Sequence, residues 1–120
     1  MNNKVTPLKI AQSLTDFWSP KIISEVNDSY VKVAKLKGQF VWHDHEFEDE
    51  MFMILQGQLR IEFRDHKIDL YEGDVYIVPK GIEHNPYAED ECLVMIIENK
   101  TTLHTGAVLH QNSKTIEQQL

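Results

Sequence analysis

The stretch FVWHDHEFEDEMFMILQG, Phe40 to Gly57, sets two histidines and five carboxylates in front of an apolar run. Residues two apart on a strand share a face, so His43 and His45 project together while Trp42 and Asp44 point the other way. Glu50 opens the apolar run, and a hairpin can fold it back beside the imidazoles as an anionic oxygen. A helix suits the stretch poorly, because Phe40, Trp42, Phe47, Phe52 and Ile54 would scatter around the cylinder without an apolar stripe. "HDHE" also lacks the second histidine at i+4 that the helical zinc-protease pattern requires. Asp44, Glu46, Glu48 and Asp49 then read as a solvated connection whose negative field favours a cation and resists an anionic ligand.

A second stretch, GDVYIVPKGIEH from Gly73 to His84, places a third imidazole just past the rigid turn made by Pro79 and Gly81. His43, His45, Glu50 and His84, each at a strand end, fit a three-histidine, one-carboxylate ligand set. On an octahedral metal such a set leaves positions for water or substrate, and imidazole nitrogen suits Zn, Fe and Ni and tolerates Mn.

The chain around these clusters is strand-rich. YVKVAKLKGQFVWH reads as strand, bend at Gly38, and strand; MFMILQG is a short buried strand closed by Gly57. QLRIEFRD alternates Leu59, Ile61 and Phe63 against Arg60, Glu62 and Arg64, the pattern of a strand wet on one face. IDLYEGD, VYIVPKG and CLVMIIE complete the set, with turns at Gly73, Asp74, Pro79 and Gly81. Ahead of them Pro7 to Leu14 has helical spacing with a proline in its first turn. The tail from Asn99 loses periodicity and is expected to end in an edge strand and a weakly helical terminus. Short strands with turn signals and almost no helix point to a β-sandwich or barrel.

With 120 residues the chain reads as one domain, residues 1–120, with a barrel core at about 26–100 and a polar extension at 101–120. The formal charge of −7 argues against a nucleic-acid partner, which would require clustered Lys and Arg, and against an anionic membrane surface. No segment reaches the roughly 18 continuous apolar residues of a membrane span, and the first twenty residues lack a signal-peptide core, so a cytoplasmic location is expected. The single cysteine, Cys92, agrees with a reducing compartment and sits at the head of an apolar run, as a core residue would.

The two clusters together resemble the cupin superfamily. Its first motif is matched by Gly38, His43, His45, Glu50 and Gly57, and its second by Gly73, Pro79, Gly81 and His84. Gly38 stands one residue nearer the first histidine than the usual pattern, and Ala88 stands where the second motif has Asn; neither departure touches a ligand position. The chain looks like the small single-domain cupins labelled mannose-6-phosphate-isomerase-like, a kinship of fold. The resemblance implies an all-β double-stranded β-helix, a jelly-roll barrel with a short N-terminal helical segment. It also implies one divalent metal ion (Zn, Mn, Fe or Ni) held by His43, His45, Glu50 and His84.

If Glu50 points inward, Phe52 and Ile54 line the barrel beneath the metal and Met51, Met53 and Leu55 lie on the opposite face. That apolar row calls for cover, either from the N-terminal segment or from a second copy, and a homodimer is the expectation. Tyr76 and Tyr87, with Tyr30 and Trp42, are candidates for the pocket wall. His66 and His110 read as solvent-facing, and His104 reaches the site only if the tail folds over the barrel mouth. The leading functional reading is a metal-dependent enzyme acting on a small organic molecule by isomerase, lyase or dioxygenase chemistry. The alternative is a non-catalytic, metal-assisted sugar or metabolite binding module. All inward histidines are used as ligands, so the sequence offers no separate general base.

Overall fold

A computed structural model describes residues 3–106 and 113–120. In chain order it contains α1 (Pro7–Ser13), β1 (Lys21–Val26), β2 (Ser29–Gln39), β3 (Glu50–Gln56), β4 (Gln58–Phe63), β5 (Lys67–Tyr71), β6 (Val75–Val78), β7 (His84–Asn99) and α2 (Ile116–Gln119). All strand pairings are antiparallel. The fold is the expected jelly roll with its short N-terminal helix.

The long strand β7 organises it. Its second half pairs β2 on one side and β3 on the other, giving the order β1-β2-β7-β3-β6, while its first half pairs β4, which in turn carries β5. One strand thus belongs to both faces of the barrel. The sequence reading began this strand at Cys92, because the exposed acids Glu89, Asp90 and Glu91 interrupt the apolar pattern. The structure carries it back to His84. The register between β2 and β7 shifts between Leu36 and Gly38, and this bulge bends the pair where the acids occur.

Alternation decides which side chains face inward. Leu59, Ile61 and Phe63 of β4 and Glu50, Phe52 and Ile54 of β3 are all buried. With Ala34, Leu36, Val94 and Ile96 the apolar members of these rows form the barrel core, and each fully buried Leu or Ile contributes about 1.5–3 kcal/mol. Cys92 is among them, fully buried, its thiol pushed up to about 12 by burial. Outside the sheet, α1 covers part of the other face: Ala11 packs with Val33 and Leu93, flanked by Leu8, Ile10, Leu14, Leu55 and Met95. Leu55 therefore lies under the N-terminal helix, whereas Met51 and Met53 stay half-buried beside the exposed Val75 and Ile77 of β6.

Two local expectations differ. FVWH after Gly38 is not a ladder strand: β2 ends at Gln39, and the segment beyond makes only an isolated bridge between His43 and His84. Phe40 N–H donates to the carbonyl of Pro86 at 3.0 Å, but Pro86 has no N–H to return, so the ladder stops there. In the tail, no strand forms among the described residues. The expected helical terminus is present as α2, capped by a reciprocal box between Thr115 and Gln118.

Candidate metal centre

The two histidine-bearing segments are fastened to each other by backbone. His43 N–H donates to the His84 carbonyl at 3.0 Å and His84 N–H returns a bond to the His43 carbonyl at 2.9 Å. The turn after Pro79 is tied in as well: Gly81, at φ 78°, donates its N–H to the His45 carbonyl at 2.8 Å, and Lys80 N–H reaches the Asp49 carboxylate at 2.9 Å. A left-handed residue is needed there, which is why glycine occupies it.

Side chains follow from this frame. His43 Nδ1 lies 2.9 Å from the Val41 carbonyl and His84 Nδ1 lies 2.9 Å from the Ile82 carbonyl. A carbonyl only accepts, so Nδ1 carries the proton in both rings and Nε2 is left with its lone pair, the tautomer a metal ligand requires. Glu50 Oε1 stands 3.5 Å from both His45 Nε2 and His84 Nε2. One donor atom from each of His43, His45, Glu50 and His84 falls within 4.8 Å of all the others, and all four residues are buried. His45 Nε2, Glu50 Oε1 and His84 Nε2 have no hydrogen-bond partner although they are out of solvent. Orphaned buried acceptors are costly, and a divalent cation at their centre satisfies three of them together. The donor set fits such an ion.

Electrostatics without the ion are tense. Burial, then the neighbouring His84, pushes His43 down to about 4. Burial also works against the charged form of His45, but Glu50 outweighs it and holds this imidazole above its ordinary value. Burial opposes ionisation of Glu50, yet the imidazoles of His45 and His84 beside it hold its carboxyl well below the usual range.

Behind Glu50 lies a pair that the sequence reading missed. Lys32 Nζ is 2.6 Å from Glu98 Oε1, with both side chains buried inside the barrel. Glu98 is the cross-strand neighbour of Glu50, and burial followed by repulsion from Glu50 drives its carboxyl well above the usual range. The signal was present: counting by two from Val94 and Ile96 puts Glu98 on the inward face, and counting by two from Leu36 and Ala34 does the same for Lys32.

The pocket-wall candidates separate. Phe52 lines a narrow pocket beside the donors, together with Trp18, Phe40, Ile96, His43 and Glu50. Ile54 is deeper in the core, and Tyr76 packs half-buried on Phe63 at 6.2 Å. Tyr87 instead lines a separate groove of about 240 Å³ with Gly57, Arg60 and Asp69. Trp42 carries the Arg64 guanidinium 3.8 Å above its ring, and Tyr30 lies 5.3 Å from the Lys100 ammonium. His66 is exposed against Asp65; His110 lies outside the described residues. Of the acidic connection, Glu46 and Asp49 are exposed, while Glu48 accepts from the Thr101 hydroxyl at 2.8 Å.

The tail does fold over the mouth. His104 joins Phe52 in the narrow pocket, its ring 5.4 Å from that of Phe40. Burial, with Lys32 next, pushes this imidazole down to about 4.

Comparison with known proteins agrees with this geometry. The family model for the cupin domain matches residues 29–98, the span from the start of β2 to Glu98. The chain belongs to the cupin family. This cupin is 33% identical over 94 residues to the uncharacterized protein YdbB of Bacillus subtilis, covering 78% of this chain and 83% of that one. It is 43% identical to a cupin-2 domain protein of Shewanella frigidimarina, with a TM-score of 0.78 over 80% of this chain and 94% of the other. The protein NMB1881 of Neisseria meningitidis is 25% identical with a TM-score of 0.75, covering 82% of the cupin chain and 100% of its own. Among the described residues, no helix is long and apolar enough to cross a membrane.

Proposed function

We propose that this cupin is a divalent-metal-dependent enzyme acting on a small organic molecule, by isomerase, lyase or dioxygenase chemistry. The observation that carries the reading is the group of four converging donors, His43, His45, Glu50 and His84, three of them with orphaned buried atoms, beside an apolar pocket. Zn, Mn, Fe or Ni held there would polarise a bound carbonyl or hydroxyl, and a redox-active iron would in addition engage oxygen. The protein's own part is positional. Val41 and Ile82 carbonyls fix the orientation of His43 and His84, and Glu50 supplies one negative charge to offset the cation. Trp18, Phe40 and Phe52 keep water from most of the pocket wall.

Elemental analysis of protein purified without a metal-affinity tag tests the reading, beside a His43→Ala/His84→Ala variant. Near-stoichiometric metal in the wild type and its loss in the variant support it; metal in neither sample after add-back and desalting would overturn it. Turnover screening with loaded protein then separates an enzyme from a binding module that returns its metabolite unchanged.

The same reading includes a homodimer located in the cytoplasm. Ile77, Met51, Ile97 and Val31 form one apolar row across β6, β3, β7 and β2, and Val75, Met53 and Met95 begin a second. Val75 and Ile77 are 53% and 52% exposed, so this part of the face needs cover that α1 does not provide. Light scattering should report about twice the 14.0 kDa chain mass, falling to the monomer for Ile77→Lys; a wild-type monomer at micromolar concentration removes the dimer.

A further inference from the structure

The pocket beside the four donors is selective by construction. Among the described residues, its wall apart from His43, Glu50 and His104 is carbon, supplied chiefly by Trp18, Phe40, Phe52 and Ile96. No lysine or arginine lines it, and Lys32, the buried cation of the barrel among the described residues, is committed to Glu98 at 2.6 Å. A phosphate or carboxylate group entering this pocket would lose its water with no cation to receive it beyond the metal. The free volume is about 30 Å³, room for a water-sized guest. A larger guest must move an aromatic wall residue. Trp18 is anchored, buried with its indole N–H donating to the Lys37 carbonyl at 2.8 Å, whereas Phe40, stacked on it at 4.6 Å, is only half-buried.

Among the described lining residues, His104 adds the one polar group that is not a candidate metal donor. Its Nδ1 accepts the backbone N–H of Lys114 at 3.0 Å. A backbone N–H only donates, so the ring's proton sits on Nε2, and this neutral imidazole is a hydrogen-bond donor with a fixed tautomer.

Building on the metal reading above, we infer that the substrate is an uncharged, compact, mostly apolar molecule that carries at least two oxygens. One oxygen reaches the metal held by His43, His45, Glu50 and His84, and a second accepts a hydrogen bond from His104 Nε2–H while the carbon frame lies between Phe40 and Phe52. His104 is the specificity-determining residue of this subsite. Sugar phosphates and dicarboxylates carry charge beyond the oxygen that reaches the metal, and no lysine or arginine among the described lining residues is there to receive it.

The test uses full-length protein loaded with Zn(II), titrated calorimetrically with two metal-chelating probes. Benzohydroxamic acid is neutral in solution, gives up one proton on binding zinc and carries an apolar ring; oxalate is a compact dianion. Benzohydroxamic acid should bind at least tenfold more tightly than oxalate. His104→Phe should weaken benzohydroxamic acid about tenfold at unchanged zinc content, and His104→Gln, whose amide still donates, should stay within about threefold of wild type. Equal affinity for the two probes, or a zinc-replete His104→Phe that binds benzohydroxamic acid like wild type, would overturn the inference. Should the chain take up no zinc, the metal reading fails separately, and metal-free protein titrated with phenol and benzoate decides the subsite. Phenol binding weakened by His104→Phe supports it, and no preference for phenol overturns it.

Discussion

His43 and His84, forty-one positions apart in the chain, exchange a reciprocal pair of backbone hydrogen bonds at 3.0 and 2.9 Å. These two candidate donors are thus placed by main chain, and each ring is then aimed by a second main-chain contact, to Val41 and Ile82. Replacing a side chain should leave this clamp intact. His84→Ala is expected to keep the far-ultraviolet dichroism of the wild type while losing metal affinity by at least 100-fold, because one of four donors is gone. A variant that unfolds, or that retains full metal content after dialysis, contradicts the arrangement.

Metal should also stabilise the fold, since the folded state gathers the four donors and the unfolded chain does not. At a free metal concentration 100 times Kd the gain is about 2.7 kcal/mol. Thermal melts with and without a chelator read it directly. A melting temperature unmoved by chelation would mean that the orphaned atoms Glu50 Oε1 and His84 Nε2 are satisfied in some other way.

The metal-free protein should weaken in mild acid. Burial pushes both His43 and His104 down to about 4 from an ordinary value of 6.5. Between those limits the unfolded chain binds more protons than the folded one, so stability is full above about pH 6.5 and falls as pH drops toward 4. Each group accounts for up to about 3 kcal/mol at the rate of 1.36 kcal/mol per pH unit. His45, held above its ordinary value by Glu50, and Glu98, held well above the usual carboxyl range by burial, work in the opposite sense and recover part of the loss. Urea denaturation at pH 7.5 and pH 4.5 should show the drop, and His104→Gln should reduce it. Equal stability at the two pH values would refute the burial of these imidazoles.

Much of the fold was legible because burial here obeys period two. Leu59, Ile61 and Phe63 alternate in the sequence as they do in the barrel, and the four donors sit at recognisable intervals around Gly57, Pro79 and Gly81. The illegible parts are long-range. Nothing near His104 shows that the tail crosses the mouth, because its contact is with Lys114 and with Phe40, far back in the chain. The start of β7 was hidden by solvent-facing acids that carry no burial signal, and the groove that takes Tyr87 depends on where β4 and β5 lie.

Gly57 of the first motif is not equivalent to Gly73 of the second. Gly57 has φ 89°, and a Cβ there would come within 2.9 Å of the Glu91 carbonyl oxygen, whereas a Cβ on Gly73, at φ 88°, would meet nothing within 4 Å. Both substitutions carry the left-handed cost of about 1–2 kcal/mol, but only Gly57→Ala adds a clash with backbone that cannot turn aside. Chemical denaturation should find Gly57→Ala more destabilised than Gly73→Ala by at least about 1 kcal/mol. Equal losses would place the strain in φ alone.

The Lys32 and Glu98 pair should respond asymmetrically to removal of one partner. Glu98→Leu strands a buried ammonium, and breaking a buried pair in this way costs about 3–5 kcal/mol. Lys32→Met leaves a carboxyl whose burial already drives it well above the usual range, so it can take up a proton and stay neutral beside Glu50. The lysine variant should therefore be clearly the more stable of the two, and the double variant Lys32→Met/Glu98→Leu should regain part of what Glu98→Leu loses. Proton uptake separates this from simple repacking: stability of Lys32→Met should decline as pH rises above the ordinary carboxyl value of 4.5, where the unfolded chain releases a proton that buried Glu98 keeps, while the double variant shows no such decline. If the two single variants are equally stable with parallel pH profiles, Glu98 does not protonate in place, and the charge behind Glu50 is balanced by Lys32 alone.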